Sequence, residues 1–467
     1  MNPTQALSAD TDLWASDIAL RAALPDQRLN TRFAQVLATL AAKPLDSIPQ
    51  ACGSFSQAKA LYAFLSNRRF GVAELLRPIV AVTVEAARGL PVLLAIQDTT
   101  TLNYSTLRHT TGLGPVNDSL HARGLHLHTT LAVRPDGLPL GLLHQSCWSR
   151  SPGQPAAAER QDRPITDKES NKWLLGIDGA TTACQSVPAA ERPRLIHIMD
   201  REGDIHEVLQ HITDLGHGAI IRCAQNRSVA GPIDRAHQAV AAAPLVGTST
   251  IDIPADHGQP RRSARLELRA TTLTITPDPR KHPHRRSVTW TLVEAREVAA
   301  PADVTPLHWL LWTTEPAGTH AEILEVLRLY KLRWKIEDFH LTIKSGCRAE
   351  ALELETAVRL TKAITLYSAV AARILTLRDR ARLEPDSPCT TIFSTDAWRV
   401  LWLRFAQQPL LADTPAPTVR QAVMWLGRLG GHLGRKRDGL PGVRTLWRGW
   451  RDLSVLVAGY RAARQQV

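Results

Sequence analysis

The chain has 467 residues, a formal net charge of +12 and a pI of about 9.8. Hydrophobic residues make up 44% of it and the mean hydropathy is −0.15, which excludes a disordered chain and favours a globular protein of roughly two to four domains. Apolar runs stay short of the ~18 residues of a membrane span, and residues 1–10 lack the basic and apolar regions of a signal peptide. We therefore expect a cytoplasmic protein, and its positive charge indicates a polyanionic partner.

Apolar residues recur at helical spacing in the first part of the chain, from Leu13 to Ala22, from Phe33 to Leu40 and from Ala58 to Leu65. This pattern predicts an N-terminal helical domain over residues 1–70. Basic residues, Arg32 among them, would decorate its surface. Such a bundle can read DNA, although a solvated charged face explains the same pattern.

The period changes at Val92, where an apolar run to Ile96 predicts a buried strand. Two further strands flank the turn signal at residues 134–137, and another buried strand covers Leu195–Met199. Predicted helices alternate with the later strands. We therefore predict an α/β core with a mixed sheet over residues 71–380.

Short alternating stretches and basic turns interrupt this core at about residues 226–306, which we interpret as a β-rich insertion. Residues 381–467 are predicted to form a connector and a helical domain, with helices near Val419–Leu429 and Arg444–Arg464. The last 53 residues contain ten Lys or Arg against two Asp or Glu. The C-terminal region is therefore the most basic part of the chain.

Cysteine and histidine show no zinc or disulfide pattern. The six cysteines are scattered, without a CxxC motif or a Cys/His cluster of metal-binding spacing. His126 and His128 alternate on a predicted strand and are either surface residues or ligands. We expect reduced thiols and no zinc site.

Two aspartates are predicted to lie just past apolar strands, Asp98 after Val92–Ile96 and Asp200 after Leu195–Met199. The carboxyl ends of strands are where open α/β sheets place their ligands. Either aspartate taken alone is better explained as the cap of a following helix.

A third carboxylate, Glu337, lies on a predicted helix from Ala321 to Ser345 that has no Pro or Gly. At about 100° per residue, Tyr330, Arg333 and Lys344 share an arc with it, beside a separate apolar stripe. An amphipathic helix with an Arg333–Glu337 pair is the alternative explanation.

Three converging carboxylates cannot all ionise without a countercharge, so the pattern predicts bound cations. Oxygen ligands without Cys or His point to Mg²⁺ or Mn²⁺, and two such ions at one site are suited to phosphodiester chemistry. Arg333 and Lys344 would hold phosphate.

The spacing Tyr330-x2-Arg333-x3-Glu337-x6-Lys344 resembles the Y-R-E-K signature of bacterial insertion-sequence DDE transposases, the cut-and-paste, hairpin-forming kind found in composite transposons. The segments Asp98-Thr-Thr and Asp200-Arg-Glu-Gly-Asp-Ile resemble the motifs around the other two acids of that family. Further resemblance lies at residues 168–173, 309–316 and 428–431.

The resemblance implies an RNase H-like catalytic core with a β-rich insertion, an N-terminal domain that binds transposon ends and a C-terminal helical dimerisation domain. It implies that Asp98, Asp200 and Glu337 are the catalytic, metal-binding residues. It also implies contacts with DNA or phosphate from a further set of residues: Tyr330, Arg333, Lys344, Arg222, Trp309, Arg32 and Lys172.

The resemblance therefore implies a metal-dependent DNA transposase that nicks transposon ends, forms and opens a hairpin, and transfers the 3′-hydroxyl into target DNA. Its partners would be double-stranded DNA, at the terminal inverted repeats and at the target, and a second copy in a homodimer. A structure-selective RNase H-like nuclease and a non-catalytic, end-binding regulator are the alternatives.

Overall fold

The computed structural model describes residues 11–116, 119–151, 163–253, 261–280, 284–302, 304–435 and 438–465. The strands are β1 (Val92–Asn103), β2 (Gly114–Val116), β3 (Ser119–Val133), β4 (Pro139–Trp148), β5 (Arg194–Met199), β6 (Gly218–Arg222), β7 (Leu245–Ile253), β8 (Arg262–Ile275), β9 (Val288–Val298) and β10 (His308–Thr313).

The helices that bear on the argument fall in three groups along the chain. The N-terminal group is α1 (Thr11–Leu20), α2 (Gln27–Ala42), α3 (Ile48–Cys52), α4 (Phe55–Ser66) and α5 (Val72–Ala87). The core group is α6 (Asn171–Gln185), α7 (His206–Leu215), α8 (Ala236–Ala242), α9 (His320–Lys331), α10 (Trp334–Leu341) and α11 (Ala357–Leu383). The C-terminal group is α12 (Thr395–Phe405), α13 (Val419–Leu429) and α14 (Val443–Arg464).

All of these strands belong to one mixed sheet. Its order is β2-β3-β1-β5-β6-β10-β9-β8-β7, and β4 pairs with β3 as well. The central strands β1, β5 and β6 are parallel, whereas β3 and β10 are antiparallel to their neighbours. With the helices in the N- and C-terminal groups, this confirms the predicted mixed α/β fold, and it is the architecture of an RNase H-like core.

Side chains alternate between the two faces of the central strands. On one face, Ile96 and Ile198 join a core that includes Phe339 of α10 and Leu366 of α11. On the other face, Met199 packs with the cluster that contains Trp173 of α6. The sheet is therefore covered on both sides. Every second residue of β1 lies on the same face.

The predicted insertion at residues 226–306 contains the expected strands but does not form a separate unit. Strands β7, β8 and β9 pair with one another in an antiparallel ladder, and β9 pairs with β10 from His308–Arg296 to Thr313–Thr291. The insertion thus extends the core sheet, because its last strand satisfies the free edge of β10.

The prediction of one continuous helix from Ala321 to Ser345 is wrong. Helix α9 begins at a capping box between Thr319 and Glu322 and ends at Lys331, and α10 begins three residues later. At the junction the amides of Leu332 and Arg333 donate to carbonyls only three residues back, a tighter turn than the α-helix. A π-helical turn over Thr342–Gly346 follows α10.

Helix α11 is the one described helix that is long and apolar enough to cross a membrane, and nearly all of it is buried inside the protein. Its packing against β4 and α5 identifies it as a core helix. The predicted boundary between residues 380 and 381 falls inside α11, and the domain limits remain predictions. The C-terminal helices agree closely with those predicted near Val419–Leu429 and Arg444–Arg464.

Candidate active site

Two of the three predicted acids lie on the same face of neighbouring parallel strands. Asp200 follows β5 directly, as predicted. Asp98 does not lie past its strand as predicted, because β1 continues to Asn103 and Asp98 pairs with Thr129 of β3. Only the parallel pairing with β5 ends, at Ile96. Asp98 follows Ile96 by two residues and Asp200 follows Ile198 by two residues, so both aspartates lie on the same face as these isoleucines, which is the face that α10 covers.

Arg333 joins the third acid to the first. Its guanidinium lies 3.5 Å from Asp98 Oδ2 and donates a hydrogen bond to Glu337 Oε1, and most of the side chain is buried. It also lies 5.0 Å from the ring of Trp334. One cation thus lies between a carboxylate of β1 and a carboxylate of α10.

Burial is the main electrostatic influence on the two aspartates. The pKa of Asp98 is raised to about 7, mainly by burial and also by the nearby charges of Asp200 and Glu337, against the opposing effects of the Thr99 amide and Arg333. Burial also raises the pKa of Asp200, which the amide of Glu202 and the charges of Arg333 and Lys172 oppose. Asp200 and Glu337 are therefore close enough to Asp98 to disfavour its ionisation.

A hard divalent cation fits this set of donors. The three acids offer only carboxylate oxygens, and an added positive charge would relieve the repulsion that raises the pKa of Asp98. Among the residues that the structure describes, no group of three or more Asp, Glu, His or Cys side chains is arranged to hold a metal ion. Binding a metal would therefore require these side chains to move, Arg333 included.

Tyr330, Arg222 and Trp309 form a second group at the ends of β6 and β10. The Tyr330 ring lies edge-on to the ring of half-buried Trp309, with centroids 5.9 Å apart. Arg222 ends β6 and donates to the carbonyl of His308 at 2.5 Å. Burial lowers the pKa of Arg222, and the neighbouring Tyr330 opposes that change. Tyr330 also lies close to Arg333, whose charge opposes the rise that burial causes in the pKa of Tyr330.

The other predicted binding residues lie on three different elements. Lys172 of α6 lies 3.0 Å from Glu202 Oε2 and its charge lowers the pKa of Asp200. Lys344 lies in the π-helical turn, outside the regular face of α10. Arg32 is exposed on α2 and lines a groove of about 550 Å³ between N-terminal helices. Arg32 is thus separate from the acid cluster.

A buried hydrogen-bonded chain runs beneath the two aspartates on the opposite face of the sheet. Thr99 Oγ1 lies 2.9 Å from His128 Nδ1, and His128 Nε2 lies 3.1 Å from Gln97 Oε1. Gln97 Nε2 reaches His197 Nδ1 at 3.5 Å, and His197 Nε2 lies 3.0 Å from His217 Nδ1. Burial lowers the pKa of His197 to about 3, so this chain is neutral.

This chain ties together the strands that carry Asp98 and Asp200. Sequence reasoning left His128 open as a surface residue or a ligand, and it missed Gln97 and His197. Their polar identity at fully buried positions of apolar strands was the available signal.

The N-terminal and C-terminal regions of the polypeptide match known families. Residues 11–70 match a family model described as transposase DNA-binding, and residues 369–467 match the transposase Tn5 dimerisation domain. The chain belongs to the Tn5-type transposases.

This transposase therefore binds DNA, forms homodimers and belongs to a class of enzymes that cut and transfer DNA. The DNA-binding match covers α1 to α4, with Arg32 inside it. The dimerisation match begins within α11 and includes α12, α13 and α14. Asp98, Asp200 and Glu337 all belong to the part of the sequence between the two matched regions.

Proposed function

We propose that this transposase carries out cut-and-paste transposition with Asp98, Asp200 and Glu337 as its catalytic acids. The observation that carries the proposal is the shared sheet face of Asp98 and Asp200, with Arg333 connecting Asp98 to Glu337 of α10. Alternating side chains and the packing of α10 bring together carboxylates that lie far apart in sequence.

The three acids would hold Mg²⁺ or Mn²⁺, two ions per site. Bound there, the ions would activate the attacking hydroxyl and stabilise the leaving oxygen of the phosphodiester. Arg333 supplies a planar guanidinium suited to a phosphate once its contacts with the acids are exchanged for the ligand. Tyr330 and Lys344 would orient the DNA backbone beside it, and Lys172 would approach from α6.

The aromatic pair at β10 suits the hairpin step of this pathway. Trp309 is half-buried and its ring meets Tyr330 edge-on, so one part of the indole remains available to a displaced base. Arg222 lies in the same group and can hold the adjoining phosphate. The freed 3′-hydroxyl would attack the opposite strand to form the hairpin and, after its opening, the target DNA.

The acids are tested by Asp98→Ala, Asp200→Ala and Glu337→Ala. We expect each to lower Mg²⁺-dependent nicking by ~10³-fold or more, as for members of a constellation that act as a unit. The substrate is a duplex carrying the inverted repeat that flanks the gene, and affinity for it should stay within a few-fold. Glu355→Ala, a 79% exposed acid on the surface, is the matched control.

Substantial nicking by any of the three variants would remove that residue from the site. Adding a supercoiled target plasmid to the unchanged protein distinguishes the three alternative functions. Joined products indicate a transposase, cleavage without joining indicates a nuclease, and binding without cleavage indicates a regulator.

A further inference from the structure

Helix α10 is short and irregular on both sides. It spans Trp334–Leu341, follows a junction of three-residue hydrogen bonds and leads into the π-helical turn at Thr342–Gly346. At the start of α10 the hydrogen bonds run to carbonyls three residues back, and at its end the amide of Thr342 still donates to Asp338 before the π-helical turn begins. Because the hydrogen-bond pattern changes at both ends, the neighbouring helices hold the rotation of α10 about its axis less firmly than one continuous helix would. Its side contacts therefore contribute to holding it.

Two kinds of side contact hold α10. Ile336 and Phe339 are fully buried in the core, but apolar contacts have no fixed direction. Ion pairs with α11 supply the direction: Lys335 Nζ lies 2.5 Å from Asp379 Oδ2, and Asp338 Oδ2 lies 2.7 Å from Arg378 Nη2.

The pairs form one network. Arg378 Nε also lies 3.0 Å from Asp379 Oδ1, so the two anchors of α11 are joined to each other. Lys335 is 8% exposed and Asp379 is 1% exposed, which removes most of the screening by solvent. Lys335 and Asp338 lie two residues before and one residue after Glu337, and a rotation of α10 would break both contacts.

We propose that Lys335 and Asp338, held by Asp379 and Arg378, are positioning residues that fix the rotation of α10 and thereby the direction of the Glu337 carboxylate. The proposal rests on the proposed function, because it assigns Glu337 a role in the reaction. Both anchors on α11 lie within the region that matches the dimerisation domain. The helix of the acid is therefore tied directly to the part of the chain that pairs two subunits.

The choice of variants follows from the cost of an unpaired buried charge. Removing one partner alone leaves the other uncompensated and destabilises the fold, whereas an apolar pair of similar volume restores much of the stability. The informative variant is therefore the double substitution Lys335→Met with Asp379→Leu. It keeps a packed interface and removes the more buried of the two ion pairs between α10 and α11, while the pair between Asp338 and Arg378 remains.

We expect the double variant to fold and to bind the inverted-repeat duplex within about twofold of the unchanged chain. Its single-turnover nicking rate at saturating DNA should fall by about tenfold to a hundredfold, since small misplacements of a reacting group have effects of that size. A purely structural role would instead lower stability or DNA affinity and leave the rate of the bound, folded complex unchanged.

Arg359→Met is the matched control, because it removes an ion pair of α11 with Glu355, which is largely exposed. Its nicking rate should stay within twofold. Glu337→Gln separates this inference from the proposed function. If Glu337→Gln abolishes nicking and the double variant nicks at the normal rate, only the inference is overturned. If Glu337→Gln nicks at the normal rate, both are overturned.

Discussion

Asp98 occupies the least favourable electrostatic position among the three acids. It is largely buried, and its pKa rises to about 7 through burial and the charges of Asp200 and Glu337, despite the contact with Arg333. Such a carboxyl is protonated in the folded chain at a pH where it is ionised in the unfolded chain. The position therefore costs stability in the absence of a bound cation and favours binding one.

This difference predicts the pH dependence of stability. Below about pH 4 the Asp98 carboxyl is protonated in both states and makes no difference. As the pH rises from 3.8 to about 7 the unfolded chain releases the proton first, so the free energy of unfolding falls, by about 1.4 kcal/mol for each pKa unit of the shift.

Asp98→Asn should remove this fall, because the amide does not titrate. Urea unfolding in a chelator at pH 5 and pH 8 measures it. We expect the substitution to raise stability at pH 8 more than at pH 5. An equal change in the free energy of unfolding at the two pH values would show that Asp98 titrates normally.

Strand β10 shows how one element divides its residues between core and site. Trp312 is fully buried in the cluster on the α6 face. Trp309, three residues earlier, is half-buried and meets Tyr330 of α9. The two tryptophans thus differ in burial, and we predict a role in the reaction for Trp309 alone.

Substituting each tryptophan in turn tests this division. Trp309→Ala should nick the inverted-repeat duplex at a normal rate and accumulate nicked strands without hairpins on a denaturing gel. Trp312→Ala is the matched control and should lower the free energy of unfolding by about 3–5 kcal/mol, as Trp→Ala substitutions in cores do. Hairpin formation by a folded Trp309→Ala chain would assign Trp309 to the core.

At the scale of the whole molecule, the terminal regions meet on α11. The Arg373 guanidinium lies 4.5 Å from the ring of Trp14 in α1 and 4.6 Å from the ring of Trp450 in α14. The apolar cluster that includes Phe33 continues through α11 to Leu453. The DNA-binding and dimerisation matches therefore share one core, although about 300 residues separate them.

Exposed apolar residues of α14 form the surface that we predict contacts the second copy. Val455 is 62% exposed and Leu456 is 41% exposed, and both lie within the dimerisation match. Val455→Glu with Leu456→Glu should leave the monomer folded and prevent dimers on DNA, because a two-fold interface repeats each added charge. Light scattering with the inverted-repeat duplex measures the mass. Leu411→Glu, on an exposed residue outside α14, is the control, and dimers in the double variant would exclude this surface.

The sequence by itself predicted most of the elements and singled out the three acids, whose catalytic role stays a prediction. Apolar runs and their period placed the central strands, and the two aspartates followed from the ends of those runs. The spacing of Tyr330, Arg333, Glu337 and Lys344 supplied the third acid and the family resemblance. These features are local, because hydrophobic period and motif spacing are properties of neighbouring residues.

Only the tertiary structure decided the continuation of β1 past Asp98, the break before Trp334 and the extension of the sheet by β7 to β9. It also revealed the neutral chain through Gln97 and His197 and the ion pairs of Lys335 and Asp379. Each depends on partners distant in sequence, as with Arg333 and Asp98, which lie 235 residues apart. Strand pairing and buried charge satisfaction are set by those partners, and no periodicity within one segment encodes them.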